Sequence, residues 1–329
     1  MSDQAHTRTD RELQKLEKRI AKVYQEARDD VADQIKAYFQ RFQARDTAMQ
    51  KRLAAGEITE EYYKQWRLNQ IGRGRRFEDL RDKLAERFTD AYETAVAYVN
   101  DKTPGIYSLN RNYAAYTIER AVGDVGFTLW DEQTVRRLIV EEPDVMPYYP
   151  PKRAVQRGFD LAYGKSQITK NVTSSILQGL SIGQMADSLQ ARVVTMSRVS
   201  AVRAARTAVT AAENAGRMDS YHAAEKMGIK MRKRWLSTLD GRTRHAHAIL
   251  DGQTADVDKP FKVDGREIRF PGDPQAAPYL VYNCRCALIA DVKGIPQDDA
   301  LRRDREGIIP DMTFAQWQNT KRGERGLQR

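Results

Sequence analysis

Apolar residues recur every three or four positions through the first part of the chain, and that spacing organises the rest. Between positions 10 and 45 they fall at Leu13, Leu16, Ile20, Val23, Ala27, Val31, Ile35, Tyr38 and Phe42. The spacing predicts one long amphipathic helix with a single apolar stripe. The stripe is close to a heptad repeat, so it suits a docking arm or coiled coil as well as a helix packed on its own neighbours. Ala54-Ala55-Gly56 breaks it. Thr59 can cap a short second helix, with Glu60 and Glu61 complementing the dipole and Tyr62 and Trp66 on one face. After Gly72 and Gly74, a third stripe runs through Phe77, Leu80, Leu84, Phe88, Tyr92, Ala95 and Val99. Asn100 to Gly105 is predicted as a turn, because Pro104 lacks the N–H a helix needs. Helical spacing resumes over 111–122 and 131–140.

Glu141 to Pro151 holds four prolines and two tyrosines and is expected to be an extended connector. Beyond it, helices are predicted over Lys165–Leu177, with Gly179 as C-cap, and from Ser181 to Leu189. Met196 to Met227 is an Ala-rich helix suited to close packing. At Ile229 the period changes. Lys230 to Leu239 alternates as a strand that buries Trp235. Asp240-Gly241 is a turn, and Thr243 caps a short helix closed by Asp251 and Gly252. Phe261 to Phe270 is a hairpin turning at Asp264-Gly265. Ala287 to Asp291 reads as the last strand, and a polar tail follows, anchored by Phe314 and Trp317. The expected fold class is α+β, predominantly α-helical, with long N-terminal helices and a small C-terminal domain with a β-hairpin-containing sheet. It divides into a helical region with a potential docking arm (1–150), a helical linker with the Ala-rich helix (151–228), a small α+β domain (229–295) and a polar tail (296–329).

Composition adds three constraints. No run of eighteen apolar residues occurs, so no membrane-spanning helix is expected, and the N-terminus has no apolar core of a signal peptide. Two cysteines one residue apart make no disulfide framework, which suits a reducing compartment. The net charge is +10, and between Arg192 and Arg244 twelve Lys and Arg face four Asp and Glu. That excess makes DNA a candidate partner, through Arg203, Arg206, Lys230, Arg232, Lys233 and Arg234.

Scarce reactive residues gather late. Three of the four histidines and both cysteines lie between 222 and 286. His245, His247, Cys284 and Cys286 are a ligand set suited to tetrahedral zinc. On a helix His245 and His247 point apart, so His247, Cys284 and Cys286 are the easier three. The alternative is a buried histidine beside two reduced cysteines, in a knot held by turns and arginine clamps. A thiolate–imidazole pair oriented by Asp240 or Asp251, or a metal-dependent nuclease using Asp240, Asp251, Asp256 and Asp258, are the enzymatic alternatives. The chain has no phosphate-binding or dinucleotide-binding glycine fingerprint.

Several of these residues together resemble a known family. Asp240-x-Arg242-Thr243-Arg244-x-x-His247, Leu250-Asp251-Gly252, Pro271-Gly-Asp-Pro274 and Asn283-Cys284-Arg285-Cys286 resemble the Mu F-like head morphogenesis proteins of tailed bacteriophages. The likeness is densest from Arg203 to Asp291, with Ile176 to Ile182 upstream. It implies a minor head protein, present in a few copies, in the virion at the head interior or portal vertex and in the host cytoplasm during assembly. The implied partners are the portal and major capsid proteins, and the implied roles are head assembly, DNA packaging or DNA delivery. Some relatives carry Cys-x-x-Cys where this chain has Arg244 and His247, and with Asn-Cys-x-Cys they look like four-thiolate zinc sites; here Arg244 removes one such ligand, with His245 the alternative. Relatives often read Arg-Thr-Glu where this chain has Arg206-Thr207-Ala208.

Overall fold

A computed structural model describes residues 3–141, 161–292, 302–304, 307–309 and 313–327. Helices dominate: α1 (Gln4–Ala54), α2 (Glu60–Gln70), α3 (Arg75–Val122), α4 (Glu132–Glu141), α5 (Leu161–Leu177) and α6 (Ile182–Lys226). The short helices α7 (His245–Leu250) and α8 (Pro278–Val281) follow, and α9 (Phe314–Leu327) comes last. The strands are β1 (Met231–Leu236), β2 (Thr254–Asp256), β3 (Phe261–Val263), β4 (Arg266–Ile268), β5 (Ala287–Val292), β6 (Arg302–Asp304) and β7 (Gly307–Ile309). This is the expected α+β class, mostly α. No helix among the described residues is long and apolar enough to cross a membrane. Beyond Glu141, the Pro-rich connector lies outside the described residues.

The chain forms two compact units, each assembled from separate stretches of sequence, where the order of elements suggested consecutive regions. The first comprises Leu16–Tyr98 and Lys152–Val202. Here the stripe of α1 from Leu16 to Phe42 is buried, so it is taken up by the chain's own packing. Tyr38 donates to Ile71 O at 2.6 Å and its ring lies 6.4 Å from Phe77 of α3. Thr59 caps α2 as expected, accepting from Tyr62 N. The inward face of α2 is Tyr63 and Arg67, with Tyr62 exposed. Arg67 grips Asp46 with both carboxylate oxygens, at 2.7 and 2.6 Å, and reaches Leu180 O. Ser181 and Gln184 form a reciprocal capping box at the start of α6. That helix does not stop at Leu189 but continues to Lys226.

The second unit comprises residues up to Lys15, Val99–Pro151 and Arg203 onward. The turn expected at Asn100–Gly105 is helix instead: α3 passes through Pro104. Proline removes one backbone bond there, but Thr103, Pro104, Ile106 and Tyr107 are all buried, and packing outweighs the missing bond. The Ala-rich segment of α6 packs as closely as expected. A Cβ on Gly216 would lie 2.4 Å from Tyr107 O, so only glycine permits this approach to α3. The main sheet has the order β2-β1-β5, all antiparallel, with Trp235 opposite Leu288 and Arg234 opposite Thr254. The hairpin β3–β4 is a separate ladder, and Asp264 (φ 52°) and Gly265 (φ 66°) make its left-handed turn. β5 is not the last strand, since β6 and β7 pair and α9 follows. Trp317 of α9 is buried and donates to Glu119 Oε2 at 2.5 Å.

Candidate functional site

Strand alternation decides which side chains of β1 meet the core. Met231, Lys233 and Trp235 point inward, while Arg232 and Arg234 flank the ladder. Trp235 is fully buried, with its ring edge-on to Phe261 at 5.3 Å and to His247 at 5.8 Å. Its Nε1 donates to Ser237 Oγ at 3.1 Å, and that hydroxyl donates to His247 O at 2.6 Å. The backbone of Trp235 is also tied to the end of α7: its N–H reaches Gln253 O, and Gly252 N–H reaches Trp235 O. Gly252 takes φ 74°, a conformation that favours glycine.

One face of α6 holds the segment that carries the cysteines. Thr207, Thr210, Asn214 and Arg217 are spaced three, four and three apart, which is one side of a helix. Thr207 Oγ1 accepts from Asn283 N at 3.0 Å, and Thr210 donates to Cys284 O at 2.7 Å. Asn214 donates to Cys286 O at 3.2 Å and accepts from Leu288 N at 2.8 Å. Arg217 donates to Leu288 O at 2.7 Å. A run of backbone groups that would otherwise be buried without partners is satisfied by one helix. This stripe was not singled out in the sequence. Its signal is a set of polar residues at helical spacing inside an alanine-rich run, which composition averages away.

Held in this way, Cys284 and Cys286 turn to the same side. Cys284 Sγ lies 3.7 Å and Cys286 Sγ 3.4 Å from His247 Nδ1. His247, Cys284 and Cys286 are each 2 or 3% exposed. Nε2 of His247 is 2.9 Å from Leu280 O. A carbonyl can only accept, so Nε2 carries the proton and the Nδ1 lone pair faces the sulfurs. The hydrogen bond that Cys284 gives to Cys286, and then burial, push Cys284 up. The same bond, against burial, pushes Cys286 down. Among the described residues these three are the group of His, Cys, Asp and Glu able to hold a metal ion, with ligand atoms within 4.8 Å of one another.

His245 is not brought to that cluster. It is exposed at the first position of α7, two residues from inward-facing His247. Thr243 does not cap α7 either. The helix begins at His245 with Arg244 at its N-cap, and the Thr243 hydroxyl goes to Thr238 O instead. Arg244 donates to Tyr282 O. Asp240 pairs with Arg285 through two bonds of 2.7 Å, and with Arg242 at 3.8 Å. The Arg285 bonds, and then the Arg242 backbone N–H, hold its carboxyl well below the usual range. Asp251 accepts from Ser237 N at 2.8 Å. Asn283 adopts φ 57° and takes a bond from Arg206 at 3.3 Å. Each of these residues ties a loop to its neighbour.

The basic residues separate. Arg203 and Lys230 are exposed, and Arg206 is half-buried. Arg232 and Arg234 pair with Asp256 at 3.9 Å and Asp291 at 3.5 Å. Lys233 leaves the set: on the inward side of β1 it is 1% exposed and donates to Val257 O at 2.9 Å. Burial, and then Arg269 nearby, lower its pKa to about 8.

Fold and site together describe a helical α+β protein in which a small sheet domain is stitched to one long helix. Residues 166–289, which span most of α5, all of α6 and the site, match the family described as Phage Mu protein F like protein. Over nearly its whole length the chain is similar to Minor head protein GP7 of Bacillus phage SPP1, at 27% identity over 94% of both chains. It is also 27% identical to NAD(+)--arginine ADP-ribosyltransferase EFV of Enterococcus faecalis, over 67% of this chain and 46% of that protein. The chain thus spans less than half the length of that relative. No solved structure matches it.

Proposed function

We propose that this protein is a structural phage head protein, a minor head protein that binds at the portal vertex and supports head assembly, DNA packaging or delivery. Its partners on this reading are the portal and major capsid proteins, and its place is the virion, in the head interior or at that vertex. The observation that carries the reading is the similarity to the SPP1 minor head protein over 94% of both chains. The site's geometry favours a binding role as well. Both sulfurs and the imidazole are buried, where a macromolecular substrate cannot reach them. The residues around them stitch backbone rather than line an open cleft. The transferase activity in the Enterococcus relative's name belongs to that protein, of which the chain covers 46%.

Complementation of a phage lacking this gene tests the reading. Variants Cys284→Ser and His247→Ala are expected to lose folding stability and head incorporation together. Variants that fold and enter heads, yet fail after ejection, would overturn it in favour of a thiol enzyme.

A further inference from the structure

We propose that His247 Nδ1, Cys284 Sγ and Cys286 Sγ bind one divalent ion of the zinc class, with water as its fourth ligand. Three observations carry this. The first is edge length. Zinc–sulfur and zinc–nitrogen bonds of about 2.3 and 2.1 Å at a tetrahedral angle put sulfur and nitrogen about 3.6 Å apart. The observed separations are 3.7 and 3.4 Å.

The second is the imidazole. Its Nε2 is committed to Leu280 O at 2.9 Å, which fixes the tautomer and aims Nδ1, the arrangement typical of a metal-bound histidine. A cation between the three atoms would engage the Nδ1 lone pair and both sulfurs at once. The third is preorganisation. The backbone on either side of the cysteines is fixed by Thr210 and Asn214 from α6, and Thr238 donates to Arg285 O at 2.8 Å. Both sulfurs are therefore placed before any ion arrives. Two thiolates and one divalent cation are neutral together, which is the form a buried site tolerates.

Ser237 marks the remaining corner. Its Oγ is 3.6 Å from Cys286 Sγ, but its proton goes to His247 O. It is therefore better placed to hold a bound water than to ligate the ion. The bound ion would tie α7 to the start of β5.

Cobalt(II) titration of the full-length chain, purified without chelator, tests this alongside zinc analysis. About one zinc per chain is expected, since a structural site should be nearly full. Cobalt should give a thiolate-to-metal charge-transfer band and intense visible bands of a tetrahedral ion. Cys284→Ser and Cys286→Ser should lose the charge-transfer band or most of it, and His245→Ala should keep it. Should the serine variants fail to fold, the wild-type spectrum and the His245→Ala control decide. Zinc below about 0.2 equivalents after reconstitution, with no thiolate band from cobalt, overturns the proposal. Bound zinc that survives in folded serine variants overturns it too.

Discussion

Asn214 uses both ends of its side-chain amide on one strand, donating to Cys286 O and accepting from Leu288 N. Alanine there strands two buried backbone groups, each costing about 1–3 kcal/mol when left unpaired. Asn214→Ala should therefore lower the denaturant midpoint clearly, with unchanged helical content in the native baseline. Asp240→Asn, at an exposed turn, should shift the midpoint far less. Equal effects would mean that the Arg285 clamp, not α6, positions the cysteines. At this scale the sequence was partly legible. His247, Cys284, Cys286 and Trp235 stood out because their residue types are scarce or large, and Cys-x-Cys on extended chain implied thiols on one side. Thr207, Thr210, Asn214 and Arg217 did not stand out, because their partners are backbone groups some 70 residues away. Lys233 was misplaced among the DNA-contacting residues, since charge alone does not say which side of β1 a lysine takes.

Elements were legible where local chemistry decides. The stripe of α1, the Thr59 cap and the Asp264-Gly265 hairpin follow from period, hydrogen-bond capacity and left-handed preference. They were misread where packing overrides propensity. Pro104 lies inside α3, and α6 runs unbroken where two helices were expected. Gly216 is the element-scale test, because its missing Cβ sets how near α6 comes to α3. Gly216→Ala places a carbon against backbone, and overpacking of this kind costs about 1–3 kcal/mol. Thermal melts should show a lower Tm. An unchanged or higher Tm would mean the helices separate without loss.

The first turn of α1 offers a pH test. His6 Nδ1 lies 2.8 Å from Glu213 Oε1. Burial works against the charged ring, but Glu213 prevails and raises its pKa from 6.5 to about 9. The folded value exceeds the unfolded one, so this stabilisation is complete below 6.5 and is lost as pH rises through about 9. Wild type should lose stability over that window relative to His6→Ala, as followed by denaturant melts at stepped pH. Parallel curves would contradict the pairing.

For the whole molecule, the two compact units were illegible in the sequence, because each joins stretches that only tertiary contact brings together. The α+β class was legible, since the switch from a helical to an alternating period at Ile229 is local. So was the likeness to the Mu F-like proteins, because the residues that carry it lie in the turns that stitch α7 to β5. The net charge of +10 and the exposure of Arg203 and Lys230 argue for DNA contact. Binding to duplex DNA should weaken steeply with salt, and Arg203→Ala with Lys230→Ala should reduce that slope by about 2. Affinity indifferent to salt would contradict DNA contact. The claim of a minor head protein at the portal vertex is tested most directly by quantitative mass spectrometry of gradient-purified heads, made with and without the portal gene. The account predicts a few copies per head, lost when portal is absent. Absence of the protein from purified heads, or full occupancy in heads that lack portal, would contradict it.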